Sequence, residues 1–166
     1  MRQFLHTLTI AAPSALVLDA FFDAEALADW WQARRSLCVA RPLGSYAVEW
    51  ETTDWRDDLL GRLGGALRGT VIEYKPSREF FVADAYWLPP DGGPIGPMAL
   101  EVTCTPQVRG TVLQVRQSGW ENAPRWSRYY EVLDPGFKAA LEQLKARVES
   151  HANGPQTATT SRPTGA

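Results

Sequence analysis

Side chains that could carry acid–base or metal chemistry are few in this chain. Two histidines occur in 166 residues, and His6 is the only one inside the predicted domain. A metal site or catalytic triad needs several such groups, and the sequence contains no HxH, HExxH or Cys/His cluster. We therefore predict no catalytic residue, no metal site and no cofactor, and we expect His6 to make ordinary hydrogen bonds within its strand.

Two carboxylates are candidate polar groups for the wall of a cavity. Asp84 alternates with apolar residues of one predicted strand, and Glu73 lies in the strand before it. On a cavity wall such a carboxylate would lose hydration, its pKa would rise, and it could accept a proton or anchor a ligand. The sequence leaves open the alternative that both face solvent on the outer side of a sheet.

Large aromatic side chains are the strongest positive signal. The chain has seven tryptophans, five tyrosines and six phenylalanines, more large rings than a thin two-layer core needs. We expect three or four of them to line a cavity that binds an apolar, aromatic or lipid-like small molecule. The candidate ligand-binding residues are Trp30, Trp31, Tyr46, Trp50, Asp84, Tyr86, Trp87, Trp126, Tyr130 and Phe137.

A long amphipathic helix near the C-terminus is the main element available to hold these rings. Residues 121–150 carry apolar side chains at gaps of three and four, at Trp126, Tyr130, Leu133, Phe137, Leu141, Leu144 and Val148. Pro135 lacks an N–H donor and Gly136 weakens the same turn, so we expect a kink or break near Asp134. The half that precedes the break would be a movable gate for the cavity.

The rest of the chain is mainly strand-like, with two short helices after the first strand. These elements predict an α+β domain over residues 1–150, in which an antiparallel sheet packs against the long helix. Residues 151–166 contain no large apolar side chain and are predicted to be a disordered tail.

The segment Thr52–Arg68 does not fit the strand pattern, because its leucines do not alternate and it is rich in glycine. We expect a short helix over Asp54–Leu63 that ends near Gly64 and Gly65 and covers the cavity as a lid. Its apolar underside would consist of Trp55, Leu59, Leu60 and Leu63.

Composition excludes several classes of protein. The formal net charge is −2 with scattered basic residues, which argues against nucleic-acid binding. No apolar run is long enough to span a bilayer, and polar residues interrupt any signal-peptide core near the N-terminus. Cys38 and Cys104 form no CxxC motif and are predicted to be buried free thiols. We expect a soluble cytoplasmic protein, monomeric or homodimeric.

Several segments follow one another in an order that is typical of a known family. They are TIAAPSALVLDAFFDAEALADWW, PLGSYAVEW, RGTVIEYKPSREFFVADAYW and RGTVLQVRQSGW, followed by Gly136-Phe137 and Leu141 in the helix. Together they extend over residues 5–149. This set resembles the START-like (SRPBCC) superfamily, in the branch related to the C-terminal domain of the Aha-type heat-shock-protein ATPase activator.

The resemblance implies a helix-grip fold, in which a seven-stranded curved antiparallel sheet wraps round the C-terminal helix. Two short helices would lie between strands 1 and 2, and a lipophilic cavity would lie between sheet and helix. Binding of an apolar small molecule is the leading hypothesis. A chaperone-cofactor or regulatory interaction module is the first alternative. A cyclase- or aromatase-like enzyme is the second. It would need a polar constellation, for which the chain offers only His6, Asp84, Glu73 and a few tyrosines, so the sequence leaves enzymatic activity open but favours a protein without it.

Overall fold

The computed structural model describes residues 3–154, which form a seven-stranded antiparallel sheet, a two-stranded hairpin, two short helices and one long helix. The predicted α+β class and the two short helices between the first and second strands are confirmed. In chain order the elements are β1 (Gln3–Ile10), α1 (Ser14–Asp19), α2 (Ala24–Trp30), β2 (Arg35–Cys38), β3 (Ser45–Trp50), β4 (Arg56–Asp57), β5 (Gly61–Arg62), β6 (Gly65–Lys75), β7 (Glu79–Leu88), β8 (Ile95–Gln107), β9 (Gly110–Ser118) and α3 (Pro124–Ala152).

The predicted tail lies outside the described residues from position 155 onward. Its first two residues, His151 and Ala152, are the last turn of α3, so the helix extends slightly beyond the predicted boundary at position 150.

The large sheet has the strand order β1-β9-β8-β7-β6-β3-β2. The four strands β6 to β9 form a meander, and β1 extends it at one side while β3 and β2 extend it at the other. In β9 every second residue from Thr111 to Gln117 is buried, so this row faces the helix side of the sheet. Gln117 therefore points inward although it is polar.

The apolar stripe of α3 is buried as its spacing predicts. The buried side chains are Trp126, Tyr129, Tyr130, Phe137, Leu141, Leu144 and Val148. Leu141 and Leu144 are fully buried, and each such leucine stabilises the fold by about 2 kcal/mol through removal from water.

We predicted a kink or break near Asp134, and the break is wrong, because α3 runs without interruption from Pro124 to Ala152. Pro135 lies on the exposed side of the helix, and its missing N–H removes only one hydrogen bond of the ladder. The buried side chains before and after it hold the helix against the sheet. Asp134 caps no second helix and instead accepts a hydrogen bond from His6 Nε2 of β1, at 2.7 Å.

The segment between β3 and β6, residues 51–64, is called the flap below. The helix predicted for it is wrong, because β4 and β5 form a small hairpin there. Gly61 and Gly64 adopt φ angles of 78° and 113°, which the helical conformation does not allow. The Asp57 carboxylate accepts hydrogen bonds from the N–H groups of Leu59 and Leu60, at 3.0 and 3.1 Å, and so closes the turn.

The apolar side chains of the flap divide between its two faces. Leu60 is buried and Leu63 partly buried, as the lid hypothesis requires. Trp55 and Leu59 are 51% and 49% exposed, so their predicted place on the underside is wrong.

Two ion pairs that are also hydrogen-bonded attach the flap to the rest of the fold. Asp57 Oδ1 lies 2.7 Å from both Nε and Nη2 of Arg128 on α3. Arg62 donates from Nε and Nη2 to the two carboxylate oxygens of Asp91 in the β7–β8 loop, at 2.9 and 3.0 Å. The Arg62 guanidinium holds the pKa of Asp91 well below its usual range. The flap is therefore held at both its helix side and its sheet side.

We predict that Asp57→Asn loosens the flap while the core stays folded. The asparagine loses the charge-assisted bonds to Arg128, which are the stronger ones, so local opening should become easier by about tenfold. Hydrogen exchange of residues 51–64 measures this opening. The matched control is Asp58→Asn at the exposed neighbouring position. Equal exchange in both variants would show that the Arg128 pair does not hold the flap.

Acid should have the same effect on the unaltered protein. Burial alone would raise the pKa of Asp57, but hydrogen bonds from Arg128, Leu59 and Leu60 outweigh it and lower that pKa. Because the folded pKa is depressed, this stabilisation is fully present above the unfolded value of about 4 and is lost as pH falls through the folded pKa. Flap exchange, corrected for intrinsic rates, should therefore rise below about pH 4, and Asp57→Asn should reduce that dependence to the part that the Arg62–Asp91 pair contributes.

Candidate ligand-binding cavity

A cavity of about 590 Å³ lies between the first half of α3, the inner face of the sheet and the flap. Ten of its lining side chains are apolar or aromatic, and they come from every surrounding element. The aromatic members are Phe4, Trp31, Trp50, Trp87, Tyr129 and Phe137, and the aliphatic members are Leu63, Leu67, Val132 and Leu133.

One wall of the cavity is built around Trp31, the residue that ends α2. Its ring stacks on that of the buried Trp30, with centroids 4.9 Å apart and 10° between the planes. Trp50 of β3 meets it at 70° and 5.2 Å, and Phe137 of α3 at 5.5 Å. Trp50 Nε1 donates to the Trp31 carbonyl oxygen at 2.8 Å. The polar edge of Trp50 is thus satisfied by backbone, and this wall is apolar.

The second wall is formed by Trp87 of β7 and Tyr129 of α3, whose ring centroids are 5.6 Å apart. Trp87 Nε1 donates to the carbonyl oxygen of Gly64 at 2.9 Å, which joins the end of the flap to the sheet. Here too an indole N–H is bonded to backbone, so the ring offers its apolar surface to the cavity.

The inner end of the cavity carries two buried polar side chains. Gln117 and Tyr129 are 4% and 3% exposed. The Gln117 amide nitrogen donates to the Tyr129 hydroxyl and lies 3.3 Å from the sulfur of Met98. Burial raises the pKa of Tyr129 strongly, more than the hydrogen bond from Gln117 lowers it, so its hydroxyl is neutral at physiological pH.

The mouth of the cavity is polar and lies between the flap and α3. Its lining residues are Gln32, Glu51, Thr53 and Gly136. Glu51 is the only formally charged residue that lines the cavity in the described part of the chain. Its side chain is 74% exposed and lies 3.3 Å from Arg34 Nε, so the charge is in solvent.

Four of the residues predicted from the sequence to bind a ligand are brought together here: Trp31, Trp50, Trp87 and Phe137. Four others are buried elsewhere. Trp30 lies beneath Trp31 and donates to the Ala20 carbonyl oxygen at 2.8 Å. Tyr46 lies in a separate aromatic cluster around Phe80, and its hydroxyl donates to the Phe21 carbonyl oxygen at 2.9 Å.

The remaining two buried candidates, Trp126 and Tyr130, pack from α3 into the core beside the cavity. Tyr130 contacts Phe4 edge-on at 4.9 Å, and its hydroxyl donates to the Gly119 carbonyl oxygen. Both residues anchor the helix that borders the cavity, but neither of them lines the cavity.

Asp84 and Tyr86 are exposed on the outer face of β7, which corrects the prediction that they face a cavity. The pairing of β7 with β8 shifts between Val82 and Ala85, and Asp84 takes a φ of 50° at this irregularity. The shift reverses the alternation, so Ala85 and Trp87 point inward after it.

The polar candidates for catalysis also lie away from the cavity. Glu73 is exposed and pairs with Lys75 at 2.8 Å, and His6 pairs with Asp134. Among residues 3–154, no group of three or more His, Cys, Asp or Glu is placed to hold a metal ion.

Four buried lining residues were not singled out from the sequence: Phe4, Leu67, Gln117 and Tyr129. Strand alternation contains a signal for two of them, since Phe4 and Gln117 each share a face with the buried residues of their strands. Tyr129 was missed because it lies beside Tyr130, which fits the helical spacing equally well.

Solved structures share this architecture over most of the chain. Protein MLL2253 from Mesorhizobium loti is 20% identical with a TM-score of 0.66, covering 87% of this chain and 95% of that one. Protein CV1439 from Chromobacterium violaceum is 26% identical with a TM-score of 0.64, covering 89% and 96%. The Aha1 dimer from Colwellia psychrerythraea is 15% identical with a TM-score of 0.62, covering 90% and 97%.

No protein with a curated description matches the chain. No helix within residues 3–154 is both long and apolar enough to cross a membrane. A family model described as activator of Hsp90 ATPase homolog 1-like protein matches residues 11–149. The match spans most of the chain and agrees with the resemblance of its motifs. The chain therefore belongs to this family, AHSA1, within the SRPBCC superfamily.

Proposed function

We propose that this protein binds a small apolar molecule, aromatic or lipid-like in character, in the cavity under the flap. The observation that supports this most is the set of six aromatic rings around about 590 Å³ of space. That volume lies within the range of small-molecule sites, and such sites are lined by aromatic and aliphatic side chains with few polar groups.

The packing of the walls favours a binding site that exists before the ligand arrives. Trp31 is held by Trp30 behind it, and the indole N–H groups of Trp50 and Trp87 are bonded to backbone carbonyls. Rings fixed in this way lose little freedom when a ligand binds, which lowers the cost of association. Removing about 250 Å² of apolar ligand surface from water contributes about 6 kcal/mol before that cost.

The flap is the part of the enclosure that a ligand would displace. It contributes Glu51, Thr53, Leu63 and Gly64 to the lining. Its attachment to the fold includes ion pairs made by its side chains. Gly136 of α3 lies on the other side of the mouth, and a Cβ placed there meets no atom within 4 Å. A ligand enters between these two elements.

A second candidate function is an interaction module, and the family description favours it. The exposed Trp55 and Leu59 on the outer face of the flap would be available to a protein partner such as an Hsp90-type chaperone. Within residues 3–154, no arrangement of polar side chains favours the third candidate, an enzyme of the cyclase or aromatase type.

We predict that Gly136→Phe blocks ligand binding and that Gly136→Ala does not. Both variants replace a helical glycine by a better helix former, so both should keep or slightly raise stability, by about 0.5 kcal/mol. Only the phenylalanine ring is large enough to fill the mouth. The neutral probe N-phenyl-1-naphthylamine should quench tryptophan emission in the unaltered protein and in Gly136→Ala, with at least about tenfold weaker binding in Gly136→Phe.

The probe should raise the melting temperature of the unaltered protein and of Gly136→Ala more than that of Gly136→Phe, because a ligand stabilises the fold to which it binds. Equal binding in both variants would place the probe outside the cavity. If the unaltered protein binds neither this probe nor other neutral apolar molecules, the proposed function is wrong.

If the protein is an interaction module, a separate prediction concerns Trp55 on the outer face of the flap. Trp55→Ser should abolish any stimulation of the ATPase of an Hsp90 from the same organism, measured as phosphate release, and should leave probe binding unchanged. The matched control is Trp120→Ser, which removes another partly exposed tryptophan away from the flap. If the unaltered protein does not change the ATPase rate, this function is ruled out.

A further inference from the structure

The charge of the cavity restricts its ligand. No lysine, arginine or histidine is among the residues that line it in the described chain, and Glu51 is exposed at the mouth beside Arg34. A carboxylate or phosphate carried into the cavity would lose its hydration with no cation to replace it, which costs several kcal/mol. Fatty acids and aromatic acids are therefore poor ligands.

A cationic ligand is also disfavoured by the arrangement of the rings. Cation binding uses several aromatic faces that surround one point. Here one face of Trp31 is covered by Trp30, and Trp50 packs nearly perpendicular to Trp31 on the same wall. The nearest carboxylate, Glu51, is already paired with Arg34. The ligand that suits these walls is neutral.

The inner end of the cavity indicates which polar group such a ligand carries. The two contacts of the Gln117 side chain, to Tyr129 and to Met98, both involve its amide nitrogen. The amide carbonyl oxygen remains as an acceptor, and the neutral Tyr129 hydroxyl, which accepts from Gln117, still has its own hydrogen to donate. One acceptor and one donor thus lie side by side in an apolar setting, where unmatched polar groups are costly.

A hydroxyl group matches this pair because it donates and accepts at once. It can donate to the Gln117 carbonyl oxygen and accept from the Tyr129 hydroxyl. It also matches the reversed amide, whose NH₂ group would donate to it. A ketone could only accept, and a hydrocarbon could do neither. Resting on the proposed function, we propose that the cavity takes a neutral aromatic molecule with a hydroxyl group, a phenol, whose oxygen meets Gln117 and Tyr129.

The test uses four ligands that share one ring system and differ in one substituent. They are naphthalene, 2-naphthol, naphthalene-2-carboxylate and (2-naphthylmethyl)trimethylammonium, titrated calorimetrically at pH 7, where the naphthol is neutral. We expect 2-naphthol to bind about tenfold more tightly than naphthalene, as one matched pair of buried polar groups allows. The anion and the cation should both bind more weakly than 2-naphthol.

Two variants locate the preference at the polar pair. Tyr129→Phe and Gln117→Leu should each bring the affinities for 2-naphthol and naphthalene to within about twofold of each other, because the ligand hydroxyl then no longer meets a matched donor and acceptor. Tyr129→Phe removes a single oxygen and keeps the ring, so it still tests the inference if Gln117→Leu fails to fold. The control is Tyr130→Phe, whose hydroxyl meets the Gly119 backbone outside the cavity and whose loss should leave the preference intact.

The inference is wrong if 2-naphthol has no advantage over naphthalene, if either ion binds more tightly than 2-naphthol, or if Tyr129→Phe keeps the full preference. These results would leave the proposed function standing, provided that N-phenyl-1-naphthylamine still binds the unaltered protein and not Gly136→Phe. If neither that probe nor any of the four ligands binds, the proposed function fails and the inference fails with it.

Discussion

The structure depends on the packing of one helix against one sheet, and that packing is uneven along the helix. In the second half of α3, the side chains of Leu141, Leu144 and Val148 are almost completely buried. In the first half the aromatic side chains stand around an open space instead. A dry void of about 590 Å³ would cost about 14 kcal/mol at the rate measured for cavities in protein cores, as much as a whole domain's stability. The space can persist only because its mouth admits water or a ligand, and a ligand that displaces water from apolar walls recovers part of that loss.

The uneven packing gives the cavity rigid walls and a flap that is held less firmly than those walls. The walls belong to the sheet and to α3, whose positions are fixed by the core. The flap has one fully buried apolar side chain, Leu60, and depends otherwise on ion pairs and on a bond from Trp87 to Gly64. Partly exposed ion pairs stabilise little in comparison with a buried core. In the proposed function, the flap is the element that opens, at a small fraction of the free energy needed to unfold the domain.

Regular periodicity explains what could be predicted from the sequence. The stripe on α3 and the alternation in the strands indicated the α+β class and the buried face of the helix, because both depend on spacing alone. Local irregularity explains what could not. One register shift in β7 turned Asp84 outward and Trp87 inward, and nothing in the run Phe80–Trp87 marks where the shift falls. In the flap, the carboxylate of Asp57 and the positive φ of Gly61 and Gly64 made a hairpin from residues for which we predicted a helix.

The sequence also could not show which of the many aromatic side chains line the cavity. The large rings divide into two clusters, and their number does not tell which ring belongs to which. Phe21, Tyr46 and Phe80 pack against one another and are almost completely buried. Trp30 belongs to that core, but its neighbour Trp31 lines the cavity, so two adjacent identical residues have different roles. The end of α2 separates them, since Trp30 is its last residue and Trp31 is the C-cap that follows. A pair of tryptophans at a helix end thus connects the filled part of the core to the open part, and the position of that helix end determines where the cavity begins.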